Sequence, residues 1–186
     1  MIKSININSC ETAEIYKYLS NSITPRPIAF VSSVDEKGNK NLSPFSFFNV
    51  FSVNPPILIF SPVRRVRNNT SKHTLENVKA VKECVISLVT EEMAQQVSLS
   101  SCDFKEGVNE FEKAGFTELK SDKITPPRIK ESPINFECKV NQIISLGNDG
   151  GAGILVICEV LKIHINEDII DENNDLDPMK LKIVSR

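Results

Sequence analysis

Three strand-like runs, at 26–34, 40–50 and 57–60, the last fully apolar, follow one another with only short turns between them. Parallel strands need a crossover of a dozen or more residues, so these neighbours can pair only antiparallel. Asp35-Glu36-Lys37-Gly38-Asn39 reads as the first turn, with Gly38 free to take positive φ, and Asn54-Pro55-Pro56 stops the second run. Pro44 lies inside 40–50 and argues for an edge, a bulge or a strand bent over a ligand, with its neighbours' N–H groups released from pairing.

Three more strands are expected at 84–89, 134–146 and 152–165. Ile15, Tyr16 and Leu19 predict a helix over 11–20, and Leu75, Val78 and Val81 another over 72–82, for which Asn68-Asn69-Thr70-Ser71 supply capping groups. Thr90 should cap a helix from 91 to 99, and a short one over 108–114 should stop at Gly115. The three prolines and many charges of 121–133 suggest an irregular surface loop, and the glycine-rich 147–151 a flexible hairpin. Six strands at hairpin separations with helices outside them predict a mainly β chain, an antiparallel β-barrel with peripheral helices in one domain spanning 1–186.

Composition narrows the function by exclusion. The 186 residues carry 22 basic and 24 acidic side chains spread along the chain, so there is no basic field of the kind that would hold a nucleic-acid partner. Five cysteines at wide spacings fit neither a disulfide framework nor a zinc site, and point to reduced thiols in a cytoplasm. No apolar run approaches the ~20 residues of a membrane span, so a soluble chain is expected. His73 and His164 stand alone without metal-hydrolase spacing, and neither a dinucleotide fingerprint, a P-loop nor a G-x-S-x-G elbow is present. No catalytic side chain and no metal is expected.

Four motifs remain: Thr24-Pro25-Arg26-Pro27, Asn41-Leu42-Ser43-Pro44-Phe45-Ser46-Phe47-Phe48-Asn49, Asn54-Pro55-Pro56 and Lys72-His73-Thr74-Leu75-Glu76-Asn77. In this order and strand context, from about Tyr16 to Ser185, the chain resembles the flavin reductase-like family of FMN-binding split-barrel proteins, flavoredoxin among them. The resemblance implies a Greek-key split barrel, FMN as cofactor and a homodimer with the site at its interface. It implies further that Arg26, Ser43, Pro44, Phe45, Ser46, Asn49, Ser61, Lys72, Thr74 and Asn77 border the flavin. The Lys72–Thr74 turn would take the phosphate, because a helix start, a cation and a hydroxyl together suit a dianion.

The function so implied is an FMN-dependent oxidoreductase reduced by NAD(P)H and passing electrons to flavin or a protein acceptor. The alternatives are an FMN electron carrier or flavin-binding sensor without efficient hydride acceptance, and a barrel that has lost its ligand. Two departures stand out. His73 replaces the acidic residue common in relatives and adds positive character, and the segment 177–186 lacks the Gly- and Tyr-containing tail that relatives tend to have, with any contact it would make.

Overall fold

The structure, a computed structural model, describes residues 1–102, 104 and 108–186. The chain runs through a helix α1 (Thr12–Ser22) and strands β1 (Ala29–Val34), β2 (Lys40–Phe45), β3 (Phe48–Val53) and β4 (Pro56–Phe60). Next come α2 (His73–Ala80), β5 (Glu83–Ser87), α3 (Ala94–Ser100) and α4 (Glu110–Ala114). The short strands β6 (Glu118–Leu119) and β7 (Arg128–Ile129) precede two long ones, β8 (Ile134–Ser145) and β9 (Ile154–Ile165).

Seven strands form one antiparallel sheet in the order β2-β1-β5-β8-β9-β4-β3. Its two ends, β2 and β3, are consecutive in sequence and separated only by Ser46 and Phe47. A sheet whose outermost strands are joined by two residues must curl back on itself, and the side chains record the closure. Phe45 on β2 and Phe60 on β4, near opposite ends of the sheet, meet with ring centroids 5.2 Å apart. The expected barrel is therefore present, and the run 40–50 is two strands meeting at its seam rather than one.

Alternation divides the core in two. Ala29, Val31, Phe45, Phe60, Ile86 and Val156 fill the barrel, with Leu75 and Val78 of α2 plugging one end. Phe30, Leu42, Val97, Phe111, Phe116 and Ile129 form an outer cluster beneath α3 and α4. Burying whole side chains of this size is worth about 1.5–3 kcal/mol each, which accounts for both layers.

Several sequence expectations need correction. The ladder between β1 and β2 runs unbroken from Ala29↔Phe45 to Val34↔Lys40 through Pro44. The Leu42 N–H points away from β1, to Glu110, and two residues on the missing N–H of Pro44 falls on the same outer side, so the proline costs no ladder bond. Asn68–Ser71 do not cap α2. Lys72 holds the N-cap position but makes no side-chain capping bond, while Asn69 and Thr70 bind the guanidinium groups of Arg64 and Arg65. Thr90 likewise makes no cap bond, and the helix after it begins as a single tight turn, Glu91–Met93. Asn109 does cap α4, which stops at left-handed Gly115, φ 75°. The segment 121–133 is not simply a surface loop: Pro126, Pro127 and Ile129 are buried and β7 pairs with β6. Nor does the glycine hairpin hang free, because a Cβ on Gly150 would lie 2.9 Å from the backbone of Val66.

Candidate functional site

The free edge of β2, the start of α2 and the end of α3 enclose a groove with two compartments. The smaller, about 30 Å³, is lined by Ser43, Arg65, Lys72, Thr74, Ser101 and Glu110 among others. The larger, about 510 Å³, is walled by Ile28, Pro44, Ser46, Ala94, Val97 and Arg186, and Lys72 and Ser101 line both. One end is therefore cationic and rich in hydroxyls, the other wider and mixed, with Ile28, Pro44, Ala94 and Val97 set among serines and Arg186.

Three polar groups at the narrow end are held in place. Thr74 is 1% exposed, and its hydroxyl accepts a hydrogen bond of 3.1 Å from the Asn41 amide. Lys72 Nζ lies 5.4 Å from the centroid of the Phe45 ring, a cation–π contact. Arg65 bonds the Thr70 hydroxyl and the Ser71 carbonyl, which fixes it beside the start of α2. The loop that carries it is braced by the β8–β9 hairpin. Arg64 N–H donates to Ala152 O and Gly151 N–H to Arg64 O, at 2.9 and 3.0 Å. Gly150 is what permits the close approach.

Among the described residues, Glu110 is the one carboxylate that lines the narrow end. Its Oε2 accepts the Leu42 N–H at 3.2 Å, and burial pushes its pKa above the ordinary carboxylate value although the nearby His73 acts the other way. A second acidic cluster lies elsewhere, where ligand-type atoms of Asp122, Glu137 and His164 come within 4.8 Å of one another. Burial works to raise the Glu137 pKa, but the N–H groups of Asp122 and Lys123 and the His164 ring outweigh it and hold the carboxyl low. That carboxylate clamps the 121–123 turn.

Of the sequence candidates, Ser43, Pro44, Ser46, Lys72 and Thr74 line the groove, and Phe45 lies under Lys72 with its ring in the barrel. The other four lie apart from it. Arg26 donates to the carbonyls of Ser20 and Ile23 at the end of α1. Asn49 is exposed on β3 and accepts the Val50 N–H, and Ser61 accepts the Ile154 N–H at 3.1 Å. Asn77 ties α2 to β1 through the Ser33 hydroxyl. Residue reasoning missed Arg65, Ser101 and Glu110. Arg64-Arg65-Val66-Arg67 holds three of the six arginines and could have drawn attention to the first; Glu110 carries no local signal.

An antiparallel barrel closed at β2 and β3, with an anion-friendly groove on that seam, defines the split-barrel class of flavin-binding proteins. Within that class, the family model for the flavin reductase like domain matches residues 21–179, and the chain belongs to this family. An uncharacterized protein of Aquifex aeolicus (strain VF5) is 37% identical over 172 residues, 92% of this chain and 85% of that one. Among solved structures, nitrilotriacetate monooxygenase component B from Bacillus cereus superposes with a TM-score of 0.93 at 32% identity, covering 100% of this chain and 92% of that one. A split-barrel protein from Shewanella frigidimarina NCIMB 400, at 24% identity, gives 0.80 over 97% and 87% and shows the shared fold. Family and neighbours support flavin binding and flavin-linked oxidoreductase activity. The chain's own residues fit such a group: cations and hydroxyls suit a phosphate, and a compartment of about 510 Å³ is within the usual range of small-molecule sites.

Proposed function

We propose that residues 1–186 act as a single FMN-dependent oxidoreductase domain, a cytoplasmic homodimer reduced by NAD(P)H that hands electrons to flavin or a protein acceptor. The observation that carries this reading is the joined groove, in which Lys72 and Ser101 link a cationic, hydroxyl-lined end to a wider compartment that has an apolar wall at Ile28, Pro44, Ala94 and Val97. Lys72 and Arg65 would neutralise the FMN phosphate while Ser43, Thr74 and Ser101 donate hydroxyls to it. Pro44, Ile28, Ala94 and Val97 would border the ring and exclude water from one of its faces. Bound FMN supplies hydride and electron transfer, so no side-chain acid or base is required. The work of the chain is neutralisation, orientation and shielding.

The likeness to a component B of a monooxygenase supports an acceptor on a separate protein or as free flavin. Support for a dimer comes from β3, the far edge of the sheet, where Val50, Phe51 and Val53 are 57%, 64% and 87% exposed. A second copy would cover them. Among the described residues no helix is long and apolar enough to cross a membrane. Purified protein mixed with FMN should show bound-flavin absorbance between about 350 and 500 nm and consume NADH or NADPH catalytically. Flavin binding without nicotinamide oxidation would favour the electron carrier, and failure to bind flavin would refute both.

A further inference from the structure

Glu110 stands against the charge of the groove it lines. It is 7% exposed, and its Oε2 takes the Leu42 N–H at the free edge of β2, between the groove residues Asn41 and Ser43. Of the ion pairs among the described residues, none includes it. The compartment is about 30 Å³, so narrow that a phosphate held by Lys72, Arg65 and Thr74 cannot stand off from the Glu110 carboxyl. Two anions in contact and shielded from water repel strongly, and the repulsion is relieved when one of them takes a proton.

The carboxyl is better suited to take it than the phosphate. A second ionisation near pH 6 and two flanking cations favour the dianionic phosphate. A neutral Glu110 keeps the Leu42 contact through its carbonyl oxygen, and its hydroxyl becomes a donor aimed at an anion. Burial already works to raise its pKa before any ligand arrives. Other charged or titratable groups face it from several elements: Arg65 before α2, Lys72, His73 and Glu76 on α2, and Cys102 just past α3. Beyond it, a cavity of about 360 Å³ is lined by Asp35, Glu36 and Lys37 of the β1–β2 turn and by Lys40 of β2, while α4 itself carries Glu112 and Lys113. His73 opposes the upward shift of Glu110 and is the rival acceptor for a proton.

We propose that Glu110 couples flavin binding to proton uptake: ionised in the empty groove, it takes a proton from solvent as the FMN phosphate enters and then donates a hydrogen bond to a phosphate oxygen. The proton returns to solvent when FMN leaves, and no covalent bond of the flavin changes. The inference rests on the phosphate placement proposed above.

Calorimetry of FMN and riboflavin in two buffers of different ionisation enthalpy counts the protons, at about pH 7.5, where free FMN phosphate is already dianionic. FMN should bind with uptake of roughly 0.3 to 1 proton and riboflavin with none. From about pH 7 to 8.5 the FMN affinity of the parent should fall by about three- to tenfold, while that of riboflavin stays level. Glu110→Gln keeps an acceptor for Leu42 and a donor for the phosphate, so it should bind FMN without proton uptake and with an affinity that is level over the same range. Should that variant not fold, the infrared difference between FMN-bound and free parent decides, because a carboxylic-acid band should appear with FMN and not with riboflavin. FMN binding without proton uptake, uptake that survives Glu110→Gln, or no such band would overturn the inference while leaving the phosphate placement standing. Equal affinities for FMN and riboflavin would refute the placement and this inference with it.

Discussion

At one end of the sheet, β2 is roofed by α2, α3 and α4, and its outward N–H at Leu42 is taken by the buried Glu110. At the other end, β3 presents Val50, Phe51 and Val53 to solvent and, among the described residues, pairs only with β4. Both are edge strands, and an edge must be covered or it will recruit another chain. The chain's own helices cover the first and leave a small-molecule groove. The second, apolar and without lysine or proline between 48 and 53, is suited to a protein surface. On the function proposed above, one sheet would separate two kinds of recognition at its two margins, which are joined by Ser46 and Phe47.

The largest effect should come from breaking the β3 side. Phe51→Asp places a charge on the proposed dimer surface and should raise the dimer dissociation constant by about 100-fold or more, read by sedimentation, since central apolar anchors carry ~2 kcal/mol or more. A parent that is already monomeric at micromolar concentration would remove the dimer from this account. Next comes Lys72→Ala on the β2 side, where losing a charge-assisted phosphate contact should cost about 1.5–3 kcal/mol, or roughly 10- to 150-fold in FMN affinity, with the melting of the apo protein hardly moved. Thr74→Val should weaken FMN by about fivefold, as expected for a neutral hydrogen bond near 1 kcal/mol.

The smallest effect expected is at Glu110, and its sign is opposite. Its pKa is raised on folding, so the ionised carboxylate weighs against the fold once pH exceeds the folded value, and that cost vanishes below the ordinary value of 4.5. Glu110→Gln should therefore stabilise the apo protein near pH 7, lose that advantage below about pH 4.5, and strengthen FMN by about two- to fivefold by removing a like charge. Thermal melts at the two pH values check the first part, and weaker FMN binding by the variant would place the phosphate elsewhere.

The barrel was legible because antiparallel pairing follows from strand spacing alone, and 26–34, 40–50 and 57–60 left no room for anything else. Its seam was not, because Ser46-Phe47 carries no turn signal and its role depends on β2 and β3 reaching opposite ends of the sheet. In the groove, Ser43, Pro44, Ser46, Lys72 and Thr74 were visible as polar or breaking residues in a β-rich region. Arg65 and Glu110 were hidden, since each reaches the groove through tertiary contacts, one braced by the hairpin at Gly150 and the other packed across β2. The anchoring of Arg26 is likewise not legible, since its extended Pro25-Arg26-Pro27 context says nothing of the α1 carbonyls it meets.

The central claim is that the β2 groove holds FMN by its phosphate, and it is tested most directly by titrating parent and Lys72→Ala with FMN and with riboflavin in a calorimeter. FMN should bind the parent about 10- to 150-fold more tightly than riboflavin, and most of that gap should close in Lys72→Ala while riboflavin affinity stays unchanged. Equal affinities of the parent for the two flavins, or a gap that survives Lys72→Ala intact, would contradict the account.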